Sequence, residues 1–422
     1  MRHPVLTAAV AAAAVAAVAF GPSTGPITST PDVAAGGFTG GPVEYVGTLP
    51  LDAGLALGAT VHEDLYFVTT PRSLTIFDTS NLTAGMPTLV STTVLQGVAF
   101  NEEPRTDGER LLMYDDNRTD LHLFDVSDPA NPVQVNVFDT GTRQHTWACV
   151  NVTDCSIVYS SNGMMLDITD MENPVVLGDW NDVPGVEVEP NAFHAIDEVA
   201  PGIVFVGTEP LYLLDAREDP SSPTLIASGR MDEVGMPLAR VPVTGNAYLA
   251  SRVEWPERTD GSLGDVDEDL LPTHDRWGVV SVETPFAADC SENSGPLLSY
   301  DMDRVEEDGT FAIADTFRIS DSGLYVDGRG NAHTIGCFPF AFEPHPAYSD
   351  NRVMAVAWTE HGTRFFTIGE DDGAIEEIGW FVPLVGGAND PEWIAEDLVA
   401  VTDTVRGVDI LKVDLAALDG EG

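Results

Sequence analysis

Basic residues are scarce in this chain of 422 residues, and lysine is almost absent. Its 19 Lys and Arg residues stand against 68 Asp and Glu, which gives a formal net charge of −49, and Lys412 is the single lysine. Such a field repels nucleic acids and anionic membrane surfaces, so we exclude both as partners. The acidity has two explanations that do not exclude each other: solubility in high salt, where counter-ions screen the self-repulsion, and binding of divalent cations.

Long apolar runs are absent beyond the N-terminus. Residues 1–20 hold a short basic start and then an alanine-dominated run from Val5 to Phe20, with Ala17–Ala19 as a small-residue cleavage site. We predict a secretory signal peptide there, with an uncleaved N-terminal anchor as the alternative. Because no second apolar run follows, we expect a mature chain without a membrane span, secreted or at the cell surface, and monomeric.

Cysteine is also rare, and the chain has four. An even number in an exported protein indicates disulfides, with free thiols as the alternative. Cys149 and Cys155 flank a short polar segment that a disulfide could close as a hairpin. Cys290 and Cys337 would then pair over a longer loop. No CxxC pair is present, so neither spacing indicates a zinc site.

The usual catalytic signatures are missing. The sequence has no GxSxG elbow, no P-loop, no GxGxxG after a strand and no HExxH. Ser, His and Asp are common, but no spacing marks a triad. This favours a binding protein over an enzyme.

What the chain does contain is a repeated phrase, a β-rich run that ends in an acid and is followed by a polar turn, usually with proline. It occurs at Leu74–Asn81, Leu121–Pro132, Met164–Pro174 and Leu211–Pro223, with starts 47, 43 and 47 residues apart. A period in the forties with several short strands is typical of a β-propeller blade. We expect the repeated acids to accept backbone N–H bonds in the turns, which is a structural role.

The strand pattern predicts an all-β fold, a single seven-bladed β-propeller of four-stranded blades over residues 43–418, with six or eight blades as alternatives. A flexible linker is predicted at 21–42, and insertions at about 254–275 and 287–309 interrupt the fifth blade. The sixth blade is predicted to start with His333–Phe340. The seventh lacks an outermost strand, so we expect the N-terminal segment Val43–Leu49 to pair with it and close the ring.

The repeated phrases resemble those of the LVIVD-repeat family of exported bacterial and archaeal proteins. Two further segments, Thr359–Gly369 and Val401–Asp414, extend the resemblance over most of the chain. It implies a β-propeller fold and supplies no catalytic residue. Two segments depart from the repeat: Trp277–Glu283 has lost the Asp-Pro turn, and Thr363–Gly369 lacks the acid after its strand.

Histidine recurs at comparable positions near the predicted inner strands, at His62, His145, His194 and His333. Imidazoles from different blades could converge at the propeller axis and bind a transition metal or another ligand. The alternative is that each histidine forms a hydrogen bond with a neighbouring blade and locks the ring.

Three acids at alternate positions, Asp265, Asp267 and Asp269, lie in the first predicted insertion. Carboxylates spaced in this way can wrap around Ca²⁺, although the glycine and the final glutamate of an EF-hand loop are missing. A solvated acidic loop is the alternative.

These observations lead to a functional prediction. We expect an exported, non-catalytic scaffold that binds a protein, a polysaccharide or a small ligand at or outside the cell surface. The alternative is an exported metal-dependent enzyme, a hydrolase, lactonase or oxidoreductase, with the four histidines at the axis. A cell-envelope component assembled through calcium bridges is a third reading.

Overall fold

The computed structural model describes residues 32–34, 37–51, 56–95, 101, 103–115, 118–150, 154–187, 193–200, 202–208, 211–229, 243–249, 277–283, 295–305, 311–319, 325–326, 332–333, 338–347 and 352–418. They form seven antiparallel blade sheets and one two-stranded hairpin, and in each blade the first strand of the meander is the innermost. The inner strands of blades 1 to 5 contact one another in order, and those of blades 6, 7 and 1 do so as well. The predicted all-β seven-bladed propeller is confirmed.

The first four blades follow the repeated phrase, whose β-rich run is the third strand of each blade. Blade 1 consists of Ala59–His62, Leu65–Thr69, Ser73–Thr83 and Met86–Val94. Blade 2 consists of Arg105–Thr106, Arg110–Tyr114, Asp120–Asp125 and Val133–Asp139. Blade 3 consists of Trp147–Cys149, Ile157–Ser160, Met164–Asp167 and Val175–Asp179, and the short 3₁₀ helix Trp180–Asp182 follows it. Blade 4 consists of Phe193–Ala200, Ile203–Thr208, Leu211–Asp215 and Thr224–Gly229.

The last three blades keep the same meander. Blade 5 consists of Val243–Leu249, Trp277–Glu283, Leu297–Val305 and Phe311–Phe317. Blade 6 consists of Phe342–Pro344, Val353–Ala357, Thr363–Ile368 and Ile375–Pro383. Blade 7 consists of Ala388–Ala395, Leu398–Asp403 and Gly407–Val413, with the 3₁₀ helix Leu415–Ala417 after it. None of the helices in the described ranges is long and apolar enough to cross a membrane.

The N-terminal segment closes the ring, as predicted. Val43–Leu49 is the fourth, outermost strand of blade 7 and pairs antiparallel with Gly407–Val413, with Val43 opposite Val413 and Leu49 opposite Val408. A strand from early in the chain and three strands from late in the chain therefore share one sheet, and the early strand covers the outer edge that blade 7 would otherwise expose.

Two further strands precede the closing strand. Gly37–Gly40 pairs with the outer strand of blade 6, and Asp32–Ala34 pairs with Gly37–Gly40. The second half of the segment predicted as a linker at 21–42 is therefore part of a sheet. Packing requires a glycine at position 40, because a Cβ atom at Gly40 would lie 2.4 Å from the Trp380 ring. In the sequence, glycine at this position suggests a linker. In the structure, it lets the backbone lie against the Trp380 indole.

Blade 5 also differs from its predicted layout. Its third strand, Leu297–Val305, lies inside the segment 287–309 that was predicted as an insertion. This strand lacks the acid-proline turn of the repeat, so the motif could not mark it. The first predicted insertion, 254–275, lies outside the described residues.

In blade 6 the inner strand is Phe342–Pro344 and not His333–Phe340. Phe342 pairs with Val356, which fixes the register of the blade. The backbone of His333 pairs instead with Tyr325 in a separate two-stranded hairpin. Several apolar runs in the sequence precede the second strand of this blade. The run that pairs with this strand is the nearest one, Phe342–Pro344.

Apolar side chains fill the spaces between neighbouring blades. Between blades 7 and 1, Tyr66 and Val68 pack with Ala400 and Ile410. Because both faces of each sheet are covered, the middle strands are continuous apolar runs, and all five residues of Val353–Ala357 are buried.

The repeated acids have the structural role expected of them. Oδ1 of Asp78 accepts the backbone N–H of Ser80 at 2.8 Å, and Oδ1 of Asp125 accepts that of Ser127 at 3.0 Å. Asp167 does the same with Thr169 at 2.8 Å. Each carboxylate thus fixes the turn that ends its strand.

The Cys149–Cys155 disulfide is formed and links the end of the inner strand of blade 3 to a point two residues before its second strand. The other predicted pair, Cys290 and Cys337, lies outside the described residues.

Candidate functional site in the axial channel

The inner strands carry acidic side chains toward the propeller axis. Glu103 precedes the inner strand of blade 2, Asp197 lies in that of blade 4, Glu343 in that of blade 6, and Asp390 and Glu392 in that of blade 7. We refer to these five as the axial carboxylates. Each of the last four has a pKa that is affected by at least one of the others, so the five lie close together although they come from four blades.

One guanidinium pairs with two of the axial carboxylates. Nη2 of Arg105 donates to Oε2 of Glu103 at 2.9 Å and to Oδ1 of Asp197 at 2.6 Å. Nε of Arg105 donates to the carbonyl oxygen of Trp147 at 3.1 Å. Arg105 therefore ties blades 2, 3 and 4 together at the axis. The side chains of Arg105 and Asp197 are 20% and 29% accessible.

The opposite wall of the channel consists of Glu343, Asp390 and Glu392. Oδ2 of Asp390 accepts the backbone N–H of Ala59 at 2.6 Å, which links blade 7 to blade 1. The carbonyl oxygen of Glu343 accepts the indole N–H of Trp393 at 3.1 Å, which links blade 6 to blade 7. Within the described ranges, no Lys, Arg or His forms an ion pair with these three carboxylates.

Burial in this enclosed channel raises the pKa of the axial carboxyls, because a charged carboxylate is poorly solvated there. Burial raises the pKa of Asp197 to about 7 even though Arg105 acts in the other direction. Burial and Asp197 raise the pKa of Glu343 to about 8. The pKa values of Asp390 and Glu392 are also raised well above their ordinary range, first by burial. Near neutral pH the channel therefore holds protons that a bound cation could replace.

A buried phenol lies beside this wall. Tyr66, in the second strand of blade 1, is fully buried, and its hydroxyl has no hydrogen-bond partner among the described residues. Burial, Asp390 and Glu392 all raise its pKa, which places the hydroxyl within the field of these two carboxylates. A buried polar group without a partner is rare and costs about 1–3 kcal/mol, so this hydroxyl requires an explanation.

The structure distributes the four predicted histidines along the molecule. His62 is the last residue of the inner strand of blade 1 and packs on Gly108, where a Cβ atom would lie 2.6 Å from the imidazole Cδ2. His145 is half-buried and precedes the inner strand of blade 3 by two residues, and His194 is the second residue of the inner strand of blade 4. Since each inner strand is the first of its meander, these strands run in one direction, and His62 lies at the opposite end from His145 and His194.

His333 belongs to the separate hairpin and to no inner strand. Among the described residues, no group of three or more His, Cys, Asp or Glu side chains is placed to hold a metal ion. The histidine metal site therefore stays a prediction. The possible calcium ligands Asp265, Asp267 and Asp269 lie outside the described residues.

A different histidine has the locking role that was the alternative for those four. His345 is buried, its Nε2 lies 2.6 Å from the carbonyl oxygen of Glu396, and its Nδ1 accepts the N–H of Ala347 at 2.9 Å. The imidazole also contacts the Trp393 ring edge-on, with centroids 4.5 Å apart. His345 thus fastens blade 6 to blade 7 just beyond Glu343.

No family model and no curated protein matches the chain. Solved structures do match. A candidate 6-phosphogluconolactonase from Bacteroides uniformis has 11% identity and a TM-score of 0.52 over 81% of this chain and 88% of that one. One from Bacteroides fragilis has 11% identity and a TM-score of 0.51 over 79% and 85%. The WD40 repeats of RRP9 have 10% identity and a TM-score of 0.54 over 89% and 99%. What these structures share with this chain is the β-propeller fold.

Proposed function

We propose that this chain is an exported, non-catalytic β-propeller of the LVIVD-repeat type that binds a positively charged ligand in its axial channel. The observation that carries the proposal is the excess of carboxyl groups at the axis, where five meet one guanidinium, that of Arg105, so that protons or a bound cation must balance the others. Groups with strongly shifted pKa values in a concave site mark functional sites more often than ordinary surface does.

The excess of carboxyl groups also restricts the ligand. A ring of carboxylates attracts cations and repels anions, so a basic peptide or a small cation fits better than a phosphate or an acidic polysaccharide. The site is lined by inner strands, which hold their side chains more rigidly than loops do, and the bonds of Ala59, Trp393 and His345 fasten these strands to their neighbours. A rigid site of this kind binds without a large ordering cost.

The second candidate is an exported metal-dependent enzyme, a hydrolase, lactonase or oxidoreductase. The raised pKa values of Asp197 and Glu343 favour it, because a carboxyl that titrates near neutral pH can act as a general acid or base. Stoichiometric metal in the purified protein, lost together with lactone or ester hydrolysis in the variant Glu343→Gln, would support this candidate over the first.

The proposal is tested by calorimetric titration of the purified protein with a panel of cations, namely Ca²⁺, Mn²⁺, Zn²⁺, spermidine and agmatine. We expect at least one to bind at 1:1 stoichiometry and to lose affinity in Glu392→Gln. The matched control is Glu370→Gln, which removes the same charge from a side chain that is 79% exposed away from the axis. If none of the cations binds, or if Glu392→Gln and Glu370→Gln behave alike, the proposal is wrong.

A further inference from the structure

We propose that Asn81 carries an N-linked glycan, with a lipid-linked oligosaccharide as the donor of the sugar. The segment Asn81-Leu82-Thr83 has the form Asn-x-Ser/Thr, without proline in the middle, that accepts such glycans in exported proteins. The same form occurs at Asn117 and Asn151, which lie outside the described residues. This inference rests on the export that is part of the proposed function, and it does not depend on what the channel binds.

Asn81 and Thr83 lie on the outer face of the hairpin that joins the third and fourth strands of blade 1. Both residues are exposed, whereas Leu82 between them is partly buried and packs against the core between blades 7 and 1. Because neighbouring residues of an extended chain point to opposite sides, Leu82 turns inward and the two polar side chains point outward together. The acceptor amide and the hydroxyl that completes the motif are therefore accessible from the same side.

The backbone at Asn81 bulges out of the ladder of blade 1. The register of the third and fourth strands shifts between Asp78 and Thr83, so residues 79–82 have no partners in the outer strand. Pairing resumes at Thr83, which lies opposite Met86. A transferase can therefore bind this short segment without opening the paired strands on either side of it.

The inner side of the same hairpin is fixed against blade 7. A Cβ atom at Gly85, in the tip, would lie 3.0 Å from Cγ1 of Val46 in the closing strand. A Cβ atom at Gly47 of that strand would lie 3.4 Å from the sulfur of Met86. The hairpin is thus held from its inner side, so a saccharide on its outer side would leave these contacts in place.

The corresponding turns of blades 2 and 3 contain asparagines that do not have these properties. Nδ2 of Asn131 donates to Oδ2 of Asp128 at 2.8 Å. Nδ2 of Asn173 donates to Oδ2 of Asp170 at 3.0 Å. Both asparagines are followed by proline, which the acceptor motif excludes. Within the described ranges, the side chain of Asn81 forms no hydrogen bond, so its amide is available for reaction.

The transfer itself balances in atoms and electrons. Nδ2 of Asn81 attacks the anomeric carbon of a saccharide that a polyprenyl phosphate carries. The bond between this carbon and the nitrogen forms as the bond between the carbon and the phosphate oxygen breaks, and the lipid phosphate leaves with that electron pair. The amide gives one proton to a carboxylate of the transferase, and no group is oxidised or reduced. The exporting cell supplies both the lipid carrier and the transferase.

The experiment isolates the full chain from the medium and the surface of its native host and analyses the peptide that contains Asn81 by mass spectrometry. We expect a saccharide on this asparagine and its complete loss in Asn81→Gln. Thr83→Ala should abolish it as well, because this variant keeps the asparagine and destroys the motif. The matched control Asn173→Gln replaces another exposed turn asparagine and should leave the modification unchanged.

Two further measurements separate this inference from the proposed function. Sequencing of the N-terminus shows whether residues 1–20 have been removed, and calorimetry with cations tests the channel, from which two strands separate the third strand of blade 1. An exported chain with unmodified Asn81, or a saccharide that persists in Thr83→Ala, would overturn the inference and leave the proposed function standing. A glycosylated chain that binds no cation would do the reverse. A chain that stays inside the cell with residues 1–20 intact would overturn both.

Discussion

The acids at the ends of the third strands and the acids at the axis have the same chemistry in opposite environments. Asp78 and Asp125 lie near the surface, and hydrogen bonds from the hydroxyl and then the amide of Ser80 and of Ser127 lower their pKa values. At the axis, burial raises the pKa of Asp197 to about 7 and, together with Asp197, that of Glu343 to about 8.

The difference lies in what neutralises the charge. At the turns, the residue two positions after each aspartate supplies the backbone N–H that the carboxylate accepts, so each aspartate is stabilised locally and by itself. At the axis the carboxylates face one another across the channel, and a single guanidinium, protons or a ligand must balance them. Acids of the first set build the scaffold, and those of the second set form the candidate site.

Removing the axial guanidinium should have the largest effect. Arg105→Met leaves Glu103 and Asp197 without their partner, so we expect the free energy of unfolding to fall by about 3 kcal/mol at pH 7.5. The loss should be smaller at pH 5, where more of the axial carboxyls are protonated. Urea denaturation followed by tryptophan fluorescence measures both values.

The matched control for that experiment is Arg118→Met. Arg118 also lies near two acids, Asp115 and Asp120, but its side chain is 54% exposed, so its removal should change stability by less than about 1 kcal/mol. An equal loss for Arg105→Met at both pH values would mean that packing, and not charge, accounts for the effect.

The sequence predicts the scaffold far better than the site. Strand patterns and turn residues are local signals, so the phrases at Leu121–Pro132 and its relatives locate blades 1 to 4, and Val43–Leu49 is recognisable as the missing outer strand. Where the turn signal fails, as after Leu297–Val305, the assignment fails as well.

The axial carboxylates could not be found in this way. Glu103 and Glu392 come from distant parts of the chain and meet only because the ring closes. In a chain with 68 acidic residues, no single acid stands out, whereas nine histidines do. The one local signal is an acid within a short apolar inner strand, as at Glu343 in Phe342–Pro344.

An intermediate effect is expected from Glu343→Gln in the absence of added cation. The folded protein holds the Glu343 proton up to a pKa of about 8, against 4.5 as the ordinary value, so the stability that this group contributes is complete below pH 4.5 and is lost as the pH rises toward 8. Glutamine does not titrate. The free energy of unfolding of the variant should therefore rise relative to that of the wild type between pH 4.5 and pH 8. Each pKa unit corresponds to about 1.4 kcal/mol, and water in the channel reduces the total, so we expect a gain of about 2 kcal/mol.

Thermal unfolding at pH 5 and pH 8 measures this gain, with Glu370→Gln as the control that removes an exposed charge. A gain of the same size at both pH values would show that Glu343 does not titrate in this range. Glu343 would then no longer support the difference between the acids at the turns and those at the axis.

The smallest effect should come from the outer set. Asp125→Ala removes the acceptor of the Ser127 amide and hydroxyl, at 3.0 and 2.6 Å, and should lower the free energy of unfolding by about 1 kcal/mol, whereas Asp125→Asn keeps an acceptor and should lose less. Because the pKa of Asp125 is lowered, its contribution is present above the ordinary pKa and disappears only as the pH falls below it. Neither substitution should alter cation binding at the axis. If Asp125→Ala weakened that binding as much as Glu392→Gln, the turns and the channel would not be separate in function, and the division of the acids into scaffold and site would be wrong.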